Sequence, residues 1–397
     1  MKIVQINTCD HGSTGKIMLQ IAQTANDAGH EVRTYSRKWF DSKEYGTHKP
    51  FGYKWENALH NIIAKTFGCE GSGSYFGTKK LLRELKKFEP DVLHLHNLHG
   101  WYINYRLLFK FIKKHNIKTY WTLHDCWSFT GHCPYFDLSG CSKWQTGCEK
   151  CPSFREYPQS KTDNSKFMFK RKKKYFLGVQ DMTLITPSEW LAGLVKQSFL
   201  KEYSVKVVNN GIDTDIFKPT PGDFRQKYGC EDSYVVLGVA FGWGRRKGLD
   251  VFAELSKRLP EQYRIVLVGT DDNIDKNLPQ NIISIHRTKN QQELAQIYSV
   301  ADVLVNPTRE DNYPTVNMEA IACGAPVITF RTGGSPEMIG ERCGEIVACD
   351  DIDAMEQEII RICTQKPYSK TDCISYARSF DQKLRFAEYV MLYGANK

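Results

Sequence analysis

The sequence contains no uninterrupted apolar stretch of membrane-spanning length, and its opening run, MKIVQIN, gives way at once to polar and acidic residues. A bilayer-crossing helix needs about 20 mostly apolar residues and a secretory leader needs a basic start and a small-residue cleavage site. Neither is expected, and a cytoplasmic protein is. No repeat of solenoid period occurs, and no second Cys-x2-Cys clip accompanies the one at Cys148 and Cys151. Acidic residues are scarce in one half only. Residues 1–200 carry 30 Lys and Arg against 17 Asp and Glu, a balance of +13, whereas the remainder is −4. The basic half predicts an anionic partner. With 397 residues and 41% hydrophobic content, the chain is long enough for two domains with their own cores, and disorder is excluded.

The stretch CDHGSTGKIMLQIA follows the first apolar run and lacks what an NTPase P-loop requires. Only Ser13 and Thr14 separate Gly12 from Gly15, and Ile17 follows Lys16. Such a loop needs four residues between its glycines and a hydroxyl after the lysine to reach magnesium. What remains is a glycine-rich strand-to-helix turn whose amides suit an anion or a polar group, with Gly15 as its candidate.

Apolar runs alternate with amphipathic helical patterns throughout. In the first half MKIVQIN, HEVRTYS, DVLHLHN and KTYWTLHD read as strands, and in the second YVVLGVA, YRIVLVG, NIISIHR, ADVLVNP and APVITF do. This rhythm predicts an α/β protein of two doubly wound, Rossmann-like domains, residues 1–200 and 201–379. An insertion rich in cysteine spans about 126–152, and a C-terminal helix over about 380–397 is expected to pack back on the first domain. In such sheets ligands bind beyond the carboxyl ends of the strands.

The segment NPTREDNYPTVNMEAIACGAPV, from Asn306 to Val327, places Asp311 in the turn after a strand. Tyr313, Pro314 and Thr315 follow at the helix start, with Pro314 suited to the first turn, and Glu319 lies inside the helix. The helix N-terminus would offer amides and its dipole to a diphosphate, with carboxylates on either side for sugar hydroxyls.

This segment resembles the acidic E-x7-E signature of retaining GT-B glycosyltransferases of glycosyltransferase family 4, as found in capsule, O-antigen and colanic-acid-type polysaccharide assembly. Aligned on Glu319, the first acid falls on Asp311 rather than Glu310. TPSEWLAGLVKQS, VVNNGIDTDIFKP and TGGSPEMI resemble further family segments, in family order. GWGRRKGLD resembles the basic pair that grips the diphosphate: Lys247 matches, Gly242 stands where the family has arginine, and Arg245 or Arg246 would supply the guanidinium. The resemblance implies a GT-B fold with two domains facing a cleft, the first on the acceptor side and the second on the donor side. It implies Asp311 at the transferred sugar, Glu319 at the ribose, Arg287 near the base, and His124 near the donor sugar. His96, Asn97, Asp125 and Trp127 would line the acceptor side. Same-face attack, with the leaving phosphate accepting the proton, needs no cofactor. Asp213-Thr-Asp215 and Asp351-Ile-Asp353 mimic a metal-binding D-x-D but lie at linker and helix-start positions, so neither is assigned a metal.

Cys133, Cys141, Cys148 and Cys151 fall within one short span. Their spacing suits a structural zinc, while free buried thiols are the equal alternative. The run KFMFKRKKKYF holds five consecutive basic residues, Lys170 to Lys174, between aromatics. It fits an anionic bilayer surface or, equally, a solvated helix face. The expected activity is transfer of a hexose from a nucleoside-diphosphate sugar, UDP before GDP, to a lipid-linked or oligosaccharide acceptor at the inner membrane face, with no nucleic acid involved. The competing readings are a phosphorylase or sugar-phosphate synthase on the same fold, a catalytically degenerate assembly partner and a basic nucleic-acid-binding protein.

Overall fold

Ile3, Val4 and Ile6 are wholly buried, as a strand covered on both faces requires. They belong to β1 (Lys2–Ile6), the centre of the first of two sheets in the computed structural model, which describes residues 1–38, 44 and 46–394. The chain divides into two compact units, one of Met1–Asn209 plus the chain from Phe386 onward, the other of Asn210–Arg385.

In the first unit β1 is followed by α1 (Gly12–Asp27), β2 (Glu31–Arg37), β3 (His48–Phe51), α2 (Lys54–Phe67) and α3 (Tyr75–Phe88). Next come β4 (Val92–Leu95), α4 (Tyr105–His115), β5 (Lys118–Thr122), α5 (Ser165–Phe176), β6 (Met182–Thr186), α6 (Glu189–Gln197) and β7 (Ser204–Val207). The seven strands are parallel in the order β3-β2-β1-β4-β5-β6-β7. β7 pairs with β6 through Thr186 and Val207, which carries this unit on to Asn209.

The second unit holds α7 (Phe224–Lys227), β8 (Tyr234–Val239), α8 (Leu249–Arg258), β9 (Tyr263–Val268), α9 (Asp272–Asp275), β10 (Ile282–Ile285) and α10 (Gln291–Val300). It continues with β11 (Val303–Asn306), α11 (Thr315–Ala322), β12 (Val327–Phe330), β13 (Gly344–Val347), α12 (Ile352–Gln365) and α13 (Lys370–Ala377). Its six parallel strands run β10-β9-β8-β11-β12-β13.

In both sheets the winding reverses beside the first strand, at β1/β4 and at β8/β11, so the turns after those strands open a crevice at each sheet's carboxyl edge. A last helix, α14 (Gln382–Gly394), ends in the first unit, where Phe386, Tyr389 and Tyr393 are buried beside Ile3, Ile21 and Tyr120. Residues 395–397 of the expected C-terminal helix lie outside the described residues. No helix among the described residues is long and apolar enough to cross a membrane.

The basic run forms α5, with Lys170, Lys173 and Lys174 exposed, but Lys172 turns inward and is fully buried. The five charges therefore do not form one outward face. Asp213 and Asp351 work locally: Asp213 accepts the Asp215 amide at 3.0 Å, and Asp351 caps α12 by accepting the Ala354 amide at 2.9 Å.

Candidate active site

In the second unit the two turns at the β8/β11 reversal are tied together. The Lys247 ammonium pairs with the Asp311 carboxylate, both largely shielded from solvent. The Arg309 amide donates to Arg246 O at 2.9 Å, and the Arg246 guanidinium donates to Glu310 O at 2.9 Å. Arg309 is itself held by a two-pronged pair with Asp250, both bonds 2.8 Å, and by Asp350 at 2.7 Å. Bidentate pairing fixes geometry as well as charge. Arg246 is thus committed to the backbone, and Arg245, next to it, is the exposed guanidinium.

Asp311 also receives a third loop. The Gly334 amide donates to Asp311 O at 3.2 Å, and Gly333 has φ +56°, where an added Cβ would lie 1.9 Å from that same oxygen. No side chain fits there. Pro314 is the N-cap of α11 rather than its first-turn residue, with helical structure beginning at Thr315, and Tyr313 beside it is buried. Glu319 is half-buried on α11 and accepts the Tyr298 hydroxyl at 2.9 Å. Burial pushes that phenol well above its ordinary value, with the Glu319 charge second. Arg287 is exposed in the turn after β10.

Sequence reasoning missed the buried chain beneath this loop cluster. Asn306 Nδ2 donates to Asn317 Oδ1 at 2.7 Å, Asn317 Nδ2 donates to Ser335 Oγ at 3.0 Å, and Ser335 meets Thr329 at 2.6 Å. All four are buried. Asn317, two residues before Glu319 in an otherwise apolar helix segment, was the available signal.

In the first unit His96 follows β4 and His124 follows β5, on the same sheet edge. His96 Nδ1 and His124 Nε2 share a hydrogen bond of 3.1 Å with the rings stacked 5.4 Å apart, and His96 Nε2 meets the Gln5 amide at 3.0 Å. The Asn97 amide donates to Asn7 Oδ1 at 3.2 Å. Burial pushes His124 down to about 4 despite Asp125, and His96 well below its ordinary value. Both are neutral near pH 7, and His124 keeps a partly open surface.

Asp125 serves the layer below. It bonds His99 Nε2 at 2.9 Å and accepts the Trp127 amide at 2.9 Å. Burial opposes His99's charge, but Asp125 outweighs it and raises the imidazole. Trp127, expected on the acceptor side, is only 2% exposed. It packs in the core under Lys172, whose ammonium lies 3.5 Å over the indole.

Helix α1 already begins at Gly12, and a Cβ on Gly15 would lie 2.6 Å from the Asp10 carbonyl carbon, so packing against the preceding turn explains this glycine.

The four cysteines are not drawn into a ligand set: among the described residues no group of three or more His, Cys, Asp or Glu side chains could hold a metal ion. Their sulfurs have other partners. The free thiols of Cys133 and Cys151 share a hydrogen bond, and Cys148 Sγ accepts the Gly131 amide at 3.1 Å.

Two doubly wound parallel units, with cationic, acidic and glycine-rich turns gathered at one sheet's reversal point, define a glycosyltransferase of the GT-B fold. Among solved structures, sucrose-phosphate synthase from Thermosynechococcus elongatus matches with a TM-score of 0.72 at 18% identity, covering 99% of this chain and 98% of that one. Anabaena HepE in complex with UDP and glucose matches with a TM-score of 0.69 at 14% identity over 100% of both chains. The chain belongs to Glycosyltransferase Family 4, whose model matches residues 14–216, and a second model, glycosyl transferases group 1, matches residues 233–365. It is 28% identical to the putative colanic acid biosynthesis glycosyl transferase WcaC of Escherichia coli K12, over 89% of this chain and 88% of the relative. A GDP-mannose-dependent alpha-(1-6)-phosphatidylinositol monomannoside mannosyltransferase of Mycolicibacterium smegmatis is 30% identical over 36% of this chain and 43% of its own length.

Proposed function

We propose that this enzyme transfers a hexose from a nucleoside-diphosphate sugar, UDP before GDP, to a lipid-linked or oligosaccharide acceptor in cell-surface polysaccharide assembly at the inner membrane face. The observation that carries the reading is the convergence on Asp311 of the Lys247 ammonium, the Gly334 amide and the start of α11. A diphosphate leaving group gains negative charge as its bond to the anomeric carbon breaks. A preorganised ammonium, an exposed Arg245 and helix-terminal amides stabilise that charge. Asp311 would take the sugar hydroxyls, and Glu319, positioned by Tyr298, the ribose.

Transfer proceeds with retention. The acceptor hydroxyl forms the new bond to the anomeric carbon on the face the diphosphate leaves, and its proton passes to the departing phosphate oxygen. The protein cations supply the counter-charge, so the reaction runs without a divalent metal. Neutral His124, partly open and held from below by buried His96, would orient a hydroxyl of the donor sugar, and Asn97 one of the acceptor. UDP is preferred because neighbours of this fold bind UDP and UDP-glucose; the mannosyltransferase relative supports GDP as second choice.

The test is thermal stabilisation by UDP, GDP, ADP and their hexose conjugates with EDTA present. Ligand at about 100 times its dissociation constant adds about 2.7 kcal/mol of stability. A selective shift that survives EDTA and is lost in Lys247→Ala and Glu319→Ala is expected. No shift with any nucleotide overturns the donor assignment, and a shift without turnover overturns the catalytic one.

A further inference from the structure

One surface of the first unit is both apolar and cationic. Helix α2 turns Glu56, Asn57, His60 and Ala64 inward. On its outer side Trp55, Leu59 and Ile62 recur at the spacing of one helix face and are 59%, 49% and 62% exposed. Three more aromatics extend this row: Tyr53 stacks on Trp55 at 6.2 Å, Trp55 meets Phe76 at 6.3 Å, and Phe76 meets Tyr75 at 5.5 Å. Rings that touch each other yet remain 40–59% exposed make a continuous patch.

The patch is built, not frayed. Both oxygens of buried Glu56 accept amides at the start of α3, from Phe76 at 2.7 Å and Gly77 at 2.8 Å. His60 Nε2 accepts the amides of Gly71 and Gly73 at 3.1 and 3.2 Å, and its Nδ1 bonds Ser74 at 2.9 Å. A Cβ at Gly77 would lie 2.8 Å from Gly52 Cα, so α3 crosses the entry to α2 at closest approach. These inward contacts hold the apolar side chains outward.

Along α2 and α3 every exposed charge is positive. Between Tyr53 and Lys87 there are seven Lys and Arg, every one exposed, and three Glu, none of them exposed. Lys79 lies 4.6 Å over the Tyr75 ring. Protein–protein interface cores are depleted in lysine, whereas a helix lying in a bilayer interface pairs a Trp- and Leu-bearing face with basic flanks.

We propose that the outer face of α2 with the start of α3 docks this enzyme onto an anionic phospholipid surface, with α2 in the plane of the headgroups. The surface belongs to the first unit, whereas the donor-binding turns belong to the second, and the proposal does not depend on the donor reading. It takes over the role that the sequence suggested for Lys170–Lys174.

The experiment is co-sedimentation of the full chain with vesicles of phosphatidylcholine alone and of phosphatidylcholine mixed equally with phosphatidylglycerol. Pelleting with the anionic vesicles only, weakened by salt, is expected. Trp55→Glu with Ile62→Glu should reduce it about tenfold or more. Lys79→Gln with Lys80→Gln and Arg83→Gln, all at exposed positions, should reduce it and flatten its salt dependence, which keeps the test open if the first variant misfolds. UDP-induced thermal stabilisation is measured on each. It should be unchanged, and its absence in the parent protein would remove the donor reading while leaving docking intact. Undiminished pelleting of both variants overturns the proposal. So does a dimer of the parent protein that Trp55→Glu with Ile62→Glu converts to monomer while no vesicle binding is seen, because the face would then be covered by a second copy.

Discussion

Lys172 shows how a single side chain departs from its sequence neighbours. Its ammonium donates to Trp127 O at 2.6 Å and Thr130 O at 3.1 Å, and it is wholly buried. Burial pulls its pKa from 10.5 down to about 7, against the opposing pull of Glu70 and nearby groups. An unfolded chain would bind this proton up to pH 10.5, whereas the folded one releases it near pH 7. The unfolded state therefore holds more protons within that window, and stability rises with pH across it. Lys172→Met should flatten the rise in melting temperature between pH 7 and the onset of tyrosine ionisation near pH 10. It should also lower the midpoint, since each carbonyl left unpaired costs about 1–3 kcal/mol. An equally steep rise in the variant would assign the titration elsewhere.

At the scale of elements, the buried Asn306–Asn317–Ser335–Thr329 chain joins β11, α11, the 332–335 loop and β12 beneath Asp311. Asn317→Ala strips partners from two buried polar groups, a loss of about 1–3 kcal/mol for each. It should lower the unfolding free energy by that order and reduce donor-induced stabilisation further than Glu254→Ala, a surface control on α8. Equal effects would reduce the chain to scaffolding. Most strands were legible because two-sided burial writes them as Val, Ile and Leu runs, as in KIVQI and YVVLGV, whereas MTLIT (β6), SVKV (β7) and GEIV (β13) went unread. HKPF, which forms β3, carries no such run, and neither it nor α2 with its outward face was read from the sequence. The turn holding Asp311 was legible as turn chemistry, and the loops holding Lys247 and Gly333 through the family resemblance. Their mutual approach was not, because it depends on β8 and β11 being neighbours despite lying far apart in sequence. Trp127 misled for the converse reason: it has the chemistry of a site, and only tertiary packing reveals that it is used for the core.

At the scale of the whole molecule, the chain leaves the first unit after Asn209, builds the second and re-enters the first at Phe386. The returning segment is not an appendage. Tyr389 and Tyr393 are 0% and 2% exposed, Tyr393 OH bonds buried His94 Nδ1 at 2.6 Å, and Tyr120 OH donates to Leu392 O. His94 is itself held far from its ordinary value, near 3, first by burial, so it meets this hydroxyl as a neutral ring. Removing a buried aromatic side chain costs about 3–5 kcal/mol, a large share of the 5–15 kcal/mol that holds a typical domain. Tyr389→Ala and Tyr393→Ala should therefore lower the unfolding transition of the first unit sharply, although both residues lie at the opposite end of the sequence from β1. Nucleotide binds turns of the second unit in the proposed reaction, so the stabilisation it gives that unit should persist in both variants. Thermal scans with and without UDP, read alongside limited proteolysis to assign each transition, separate the two effects. An unshifted first-unit transition in both variants would mean that the last helix lies outside that unit's folding core.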